Sequence, residues 1–523
     1  MLFNSFEFIF AFLPICLIIY WAINLFGNKK LSILWLVFTS LFFYGWWNPI
    51  YLLLIIPSTG FNYFIGRQLT KCSHRGNNKT RKRYLSAGII FNLGLLCYFK
   101  YANFFAENIN IIFQSNFHLQ KIILPLAISF FTFQQIAFLV DAYHGKTKEF
   151  SFINYCIFVT FFPQLIAGPI VHHKEMLPQF KNSDKPSKFY ENISLGFVVF
   201  IFGLFKKVVL ADGAASYVTP AFMAAESGNI LSFFPAWAAV LAYTFQIYFD
   251  FSGYSDMAIG ISKMFGINLP INFHSPYKAT SIIEFWRRWH ITLSRFLRDY
   301  VYFSLGGNRK GKGRRYINLM VTMLIGGLWH GAGWTFIFWG MLHGIYLIIN
   351  HSWRALCLQW GKKIGTSWIK DRISQGITFL VVVVAWVFFR AETLNGAVNI
   401  LESMIGLNGV ILPESYRYYL NYLWGIGDYL GGLGMEYKYI QFFSWAQVKV
   451  ILLLFLISSM APNTLQILDD YKLSIKKFQE KTPSWFHIIR WRPTKLWSLI
   501  VTLFFIITIS YLTKNSEFLY YRF

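Results

Sequence analysis

The chain is 523 residues long, 55% hydrophobic and 20% aromatic, with only 14% charged residues and a formal net charge of +25. An ordinary soluble domain carries roughly a quarter charged residues, so this chain cannot coat a globular surface in water, and most of its surroundings must be lipid. Its basic residues stand in short runs between apolar spans, and no nucleic-acid motif accompanies them; the pattern speaks for membrane lipid, not nucleic acid, as the partner.

The opening stretch MLFNSFEFIFAFLPICLIIYW has no basic leading segment, carries Glu7 and lacks a small-residue cleavage site. It reads as a retained first span. Apolar spans are expected at 6–26, 31–46, 49–66, 84–100, 121–141, 192–210, 230–250, 317–329, 333–350, 373–389, 447–460 and 496–513. Crossing the hydrocarbon takes about 20 apolar residues in a helix, so the shorter spans are read as tilted or re-entrant. The expected fold is all-α and polytopic, with about 11–13 membrane helices, in one domain over 1–523.

Charge sets the expected orientation. Lys29 and Lys30 follow the first span, and the loop 67–83 holds Arg67, Lys71, Arg75, Lys79, Arg81, Lys82 and Arg83. Such runs collect in the cytoplasm. The uncharged aromatic turn Trp46-Trp47-Asn48-Pro49 between them suits the other face, so the N-terminus is expected outside. The segment 461–495, with Lys472, Lys476, Lys477, Lys481, Arg490, Arg492 and Lys495, is expected inside. One more span then places the tail 514–523 outside as well. The stretch Phe161-Phe162-Pro163-Gln164-Leu165-Ile166-Ala167-Gly168-Pro169 is apolar but broken by two prolines and a glycine. Irregular backbone survives at membrane depth only when protein buries it or it lines a cavity, so a re-entrant hairpin is expected. The stretch 390–446 is the longest non-spanning piece and is expected to cap the outer face. Cys16, Cys72, Cys97, Cys156 and Cys357 form no C-x-x-C pair. Neither a disulfide framework nor a metal site is expected from them.

Polar residues inside membrane segments are expensive and mark candidate function. They concentrate in a motif core at 244–350. Asp250 and Asp256 lie in the first cluster and have two readings, a site or a fastening between helices. Glu284-Phe285-Trp286-Arg287-Arg288-Trp289-His290-Ile291-Thr292-Leu293-Ser294 forms the second, and an amphipathic interfacial helix is expected there, its charged face continuing through Arg295, Arg298 and Asp299. The third is the loop Gly306–Arg315, whose Asn308, Arg309, Lys310 and Lys312 are candidates for holding the phosphates of a coenzyme or a lipid. It is not a nucleotide-hydrolysis loop, because Gly313 stands where a magnesium-binding Ser or Thr is needed. The fourth is Gly326-Gly327-Leu328-Trp329-His330-Gly331-Ala332-Gly333-Trp334. Glycines let helices or substrate approach the backbone closely, so His330, with Trp329 as a binding wall, is expected in a lined cavity. A buried imidazole is expected to be neutral and able to take a proton from a hydroxyl as a general base. His290 is the candidate for polarising a thioester carbonyl. His343 is expected near the same cavity. No G-x-S-x-G elbow or three-ligand metal pattern accompanies them.

The runs RRWHITLSRFLRDYVYFSLGGNRKG (287–311) and GGLWHGAGWTFIFWGMLHG (326–344) closely resemble the membrane-bound O-acyltransferase (MBOAT) family, in its bacterial alginate O-acetyltransferase branch. YFDFSGYSDMAIG (248–260), LPLAISFFTFQQIAFLVDAYHG (124–145), FFPQLIAGPI (161–170) and the tail FLYYRF resemble it too. The resemblance implies an hourglass of helices with a central tunnel, in the cytoplasmic (inner) membrane of a bacterium. It implies His330 as the family histidine and His290 as the second polar residue. It implies acetyl-CoA or another acyl thioester as donor substrate, with no bound cofactor. An exported, alginate-like glycan would be the destination, with an extracytoplasmic SGNH-like acetyltransferase and polysaccharide assembly proteins as partners. In the related teichoic acid D-alanylation system a small partner ends in a similar aromatic motif. By that likeness Tyr520, or next to it Tyr521, is the expected acyl acceptor; the other reading of the tail is an interfacial aromatic anchor. Two other functions stay open at this stage: an acyltransferase acting on lipid or protein, and a transporter without chemistry.

Overall fold

A backbone surrounded by hydrocarbon finds no water to bond, so its N–H and C=O groups must pair within a helix or a closed barrel. Among the described residues the chain's regular structure is helix apart from one pair of two-residue strands. The computed structural model describes the chain except residues 75–76, 118, 121, 148–150, 182–187, 361–366, 423–424, 439, 472, 474, 476–488, 513–518 and 520–523, and the side chains of 73, 74 and 181.

Each of the twelve expected spans coincides with a helix. They are α1 Phe8–Leu25, α2 Lys29–Gly45, α3 Leu52–His74, α4 Asn78–Phe113, α5 Ile128–Tyr143, α6 Phe189–Glu226, α7 Phe233–Met264, α8 Gly311–His330, α9 Trp334–Gln359, α10 Trp368–Arg390, α11 Trp445–Met460 and α12 Lys495–Tyr511. Among the described residues, α1, α3 with its leading turn, α4, α6 and α10 are long and apolar enough on their own to cross a membrane. The molecule is an all-α polytopic membrane protein. Helices α4, α6 and α7 run well beyond their expected ends at 100, 210 and 250, and α5, expected from 121, begins at Ile128. Pro125 and the left-handed Ala127 (φ 61°) hold the residues before it out of the helix. The stretch 390–446 folds as short helices and a two-stranded parallel sheet pairing Ile411 with Glu436 and Leu412 with Tyr437.

The central element is α7. From Ala238 to Met264 it is buried at nearly every position, as befits a helix that is apolar all round. Its glycines let α6 close on it. A Cβ on Gly196 would stand 2.5 Å from the Gly260 carbonyl, and one on Gly260 would stand 2.6 Å from the Gly196 carbonyl. Asp250 and Asp256 also face α6, where Lys206 and Lys207 sit on a π turn, Lys206–Ala211. Lys207 lies 2.7 Å from Asp250 and 2.6 Å from Asp212, and Lys206 lies 2.6 Å from Asp256. The fastening reading of these carboxylates is therefore the one their geometry fits: a charge at membrane depth is tolerable when paired.

Residues 161–171 are buried without interruption and contain only the four-residue helix Phe162–Leu165. This is the broken backbone expected there, enclosed by protein. The expectation of one interfacial helix over 284–294 is corrected. The chain forms two short helices, Ile282–Arg288 and Ile291–Phe296, and breaks at His290, whose φ is +41°. That break is buried and anchored from residues 272–274. The Ile291 N–H donates to the Asn272 carbonyl (2.9 Å) and the His274 N–H donates to the Arg288 carbonyl (2.9 Å).

The buried apolar side chains form two clusters. The first gathers α1–α5, the early part of α6, the late part of α7 and Trp329. The second gathers the later part of α6, the early part of α7, α10, Trp289 and Trp339. The motif core lies along the seam between them.

Widening the α6–α7 contact tests this packing. Gly260→Val should drive the helices apart and destabilise the protein by about 1–3 kcal/mol or more, read as a lower melting temperature and yield in detergent. An unchanged melting temperature would show that the two helices do not touch there.

Candidate active site

The α8–α9 hairpin positions His330. The two helices close on each other through glycines, since a Cβ on Gly340 would stand 2.5 Å from the Met323 carbonyl. Extended backbone at Gly331 and Gly333 then ends α8 inside the protein. His330 is the last residue of α8 and is buried. Its ring is flanked by Trp329 at 4.8 Å, Phe389 at 5.0 Å and Trp339 at 5.1 Å between centroids. The His290 ring centroid lies 6.3 Å away, against Phe251 at 4.7 Å and Trp329 at 5.8 Å. Both histidines therefore touch rings of both apolar clusters. Two imidazoles forty residues apart in sequence meet because the backbone break at His290 and the hairpin end at Gly331 arrive at one seam.

His330 and Trp329 also line a cleft of about 40 Å³, together with Lys100, Ser129, Ile166 and the 124–128 loop. That is room for a small reacting group and little else. His343, expected near this cavity, is not among its lining residues. Trp339 stands between, 5.1 Å from His330 and 4.8 Å from His343.

Comparison with known proteins gives this geometry a context. A family model described as MBOAT, membrane-bound O-acyltransferase family, matches residues 146–359, enclosing both histidines. The chain is 48% identical over 442 residues to the peptidoglycan O-acetyltransferase of Helicobacter pylori, covering 79% of this chain and 81% of the relative.

The chain belongs to the membrane-bound O-acyltransferase family.

A probable alginate O-acetylase AlgI of Pseudomonas aeruginosa is 41% identical over 457 residues, 86% of this chain and 82% of the relative. The teichoic acid D-alanyltransferase of Streptococcus thermophilus is 31% identical over 243 residues, 45% of this chain and 58% of the relative. As an MBOAT member the protein is an O-acyltransferase, which sets aside a transporter without chemistry.

In this MBOAT chain the hydrogen bonds dictate where the His290 proton sits. Asn272 Oδ1 accepts from the Thr292 N–H (3.3 Å) and from the Thr292 hydroxyl (2.9 Å). A backbone N–H can only donate, so the atom facing it is the Asn272 oxygen. The His290 Nδ1, 3.0 Å from the same oxygen, must donate too. A neutral His290 therefore keeps its proton on Nδ1, and its Nε2, without a partner among the described residues, is an acceptor. Polarising a carbonyl needs a proton on Nε2. These hydrogen bonds fit His290 better as an acceptor than as the carbonyl polariser expected from the sequence. His330 Nδ1 is likewise without a partner among the described residues.

The other expected site residues fall elsewhere. Asn308, Arg309, Lys310 and Lys312 are exposed, at the opposite end of α8 from His330. Twenty helical residues separate the two ends, about 30 Å. The basic loop and the histidines thus mark two ends of one helix and do not form one pocket. Tyr520 and Tyr521 lie outside the described residues; Leu519, just before them, is buried in the second apolar cluster.

Three residues of this MBOAT site went unnoticed in the sequence. Asn272 sits in an unremarkable run, NFHSPY. Lys100 and Tyr101 stand at the end of an apolar span, where a Lys–Tyr pair resembles an interfacial anchor. The signal available for Lys100 was the amphipathic stretch beyond it, ANFFAENINIIF, which continues the helix to Phe113.

Asn272→Leu removes the acceptor that holds the His290 proton on Nδ1. Acyl transfer should fall on the order of 10²-fold, while Asn272→Asp, which still accepts, should retain a measurable fraction. Equal rates in wild type and Asn272→Leu would show that the His290 tautomer does not matter.

Proposed function

We propose that this protein is an O-acetyltransferase that moves acetyl groups from a cytoplasmic acyl thioester, such as acetyl-CoA, toward an exported cell-surface polysaccharide. The observation that carries the reading is the buried pair of imidazoles, His290 and His330, at the seam of the two cores, with His290 Nε2 and His330 Nδ1 unpartnered among the described residues. The polysaccharide destination is supported by the peptidoglycan and alginate relatives, and it is preferred over a lipid or protein acceptor for that reason.

In this reading the chain lies in the cytoplasmic membrane with both termini outside, as its basic loops suggest. The exposed Asn308, Arg309, Lys310 and Lys312 loop attracts the phosphates of the donor on the inner side. His330 is the general base, and Trp329 walls the reacting group. His290 contributes an acceptor near the imidazolium that forms at His330, the two ring centroids 6.3 Å apart. Transfer starts when the acceptor hydroxyl gives its proton to His330 and its oxygen attacks the thioester carbonyl. The C–S bond then breaks, and the thiol leaves with the proton returned by the imidazolium.

The acceptor we favour is the Tyr520 phenol, with Tyr521 next in line. Support comes from Leu519, which is buried in the apolar cluster that also holds Trp339 and Phe389, the rings flanking His330. A phenyl ester formed there passes its acetyl group to an extracytoplasmic SGNH-like acetyltransferase and, through polysaccharide assembly proteins, to the glycan.

His330→Ala should abolish O-acetylation of the surface polymer while polymer export and protein level stay normal. Persistent acetylation in that variant would remove the base from the scheme. Deleting residues 518–523 should have the same effect. Acetylation at the wild-type rate after that deletion, at normal protein level, would leave the tail as an interfacial anchor.

A further inference from the structure

With His290 read as an acceptor, the negative charge that develops on the carbonyl oxygen needs another partner. The cleft beside His330 holds one. Lys100 is the only Lys, Arg, Asp or Glu side chain among the residues lining it. It sits on a π turn, Cys97–Tyr101, inside the long helix α4. Such local insertions re-aim side chains and recur at functional sites.

The Lys100 side chain reaches the end of α8 and Ser129 of α5. It donates to the backbone carbonyl of Trp329, to that of His330 at 3.1 Å and, weakly, to the Ser129 hydroxyl at 3.4 Å. The last distance lies beyond the usual 2.7–3.2 Å range for such a bond, so the third N–H is available to a better acceptor. Among the described residues no carboxylate pairs with Lys100, in contrast to Lys206 and Lys207.

Capping the end of α8 does not explain a cation here. The adjacent Tyr101 hydroxyl donates to the Leu328 carbonyl, and it does so without charge. Lys100 is half-buried, and withdrawing an ammonium from water with no counter-ion is unfavourable, whereas a neutral donor would cap the same carbonyls without that penalty. A half-buried lysine lining a small cleft that it shares with an imidazole base is, with its proton on, an electrostatic site for a developing anion.

We propose that Lys100 is a catalytic residue that stabilises the oxyanion of the acyl-transfer step, with Ser129 as its hydrogen-bonding neighbour. The assignment rests on the reading of His330 as the base. As the acceptor oxygen bonds to the thioester carbon, the carbonyl electron pair moves onto oxygen and meets the Lys100 N–H. When the C–S bond breaks, that pair returns to re-form the carbonyl. Lys100 keeps its proton throughout.

The test compares Lys100→Gln, Lys100→Arg and His330→Ala in full-length protein in cells, by the initial rate of labelled acetate incorporation into base-labile esters of the surface polymer, with protein level and detergent melting temperature measured alongside. Gln keeps two N–H donors for the carbonyls of α8 but removes the charge; Arg keeps both. Lys100→Gln should lose about 10²–10³-fold in rate at normal protein level and melting temperature, and Lys100→Arg should recover part of it. A wild-type rate in Lys100→Gln overturns the proposal. So does a loss that tracks protein level in both Lys100 variants, or an equal loss in both at normal level. Continued acetylation in His330→Ala instead overturns the base reading, independently of Lys100.

Discussion

The structure turns on a helix that stops inside the protein. α8 ends at His330, and the last carbonyls of any helix have no partner within it. In hydrocarbon no water is present to take their place. Lys100 and Tyr101 supply the donors, reaching from α4 to the carbonyls of Leu328, Trp329 and His330. This contact holds the backbone that carries His330, borders the cleft and joins α4 to the end of α8.

A second break complements the first. The chain at His290 adopts a left-handed backbone conformation that a non-glycine residue rarely takes. Its neighbours are satisfied by residues 272–274, and one side-chain oxygen, that of Asn272, collects three donors. Such strain persists only where the surroundings over-determine it. Here they do, with rings of both apolar clusters packed on the imidazole. The two breaks bring two histidines to one place, and the hydrogen bonds around Asn272 assign one of them as an acceptor.

Charge at depth is handled in two ways. Lys206 and Lys207 are matched to Asp256, Asp250 and Asp212, and they hold α6 to α7. Lys100 has carbonyls and a hydroxyl as partners, and it lines a cleft. The first arrangement is a fastening. The second sets a lysine with no carboxylate partner among the described residues beside the cleft, where a reaction through an oxyanion would use its protonated form. The exposed basic loop is a third case, separated from the cleft by the length of α8.

The all-helical membrane architecture was legible in the sequence because hydrocarbon imposes a strong and local rule: long apolar runs must be helices, and each of the twelve expected runs is one. His330 was legible for a related reason, as a polar residue among glycines in an apolar run. What the sequence could not yield were the relations set by distant backbone. The break at His290 depends on residues 272–274, the proton on its Nδ1 depends on Thr292 as well as Asn272, and the place of Lys100 depends on a helix end more than two hundred residues later. Local propensity reads the solvent around a segment. Hydrogen bonds between segments, which decide where protons and charges sit, exist only once the chain has folded.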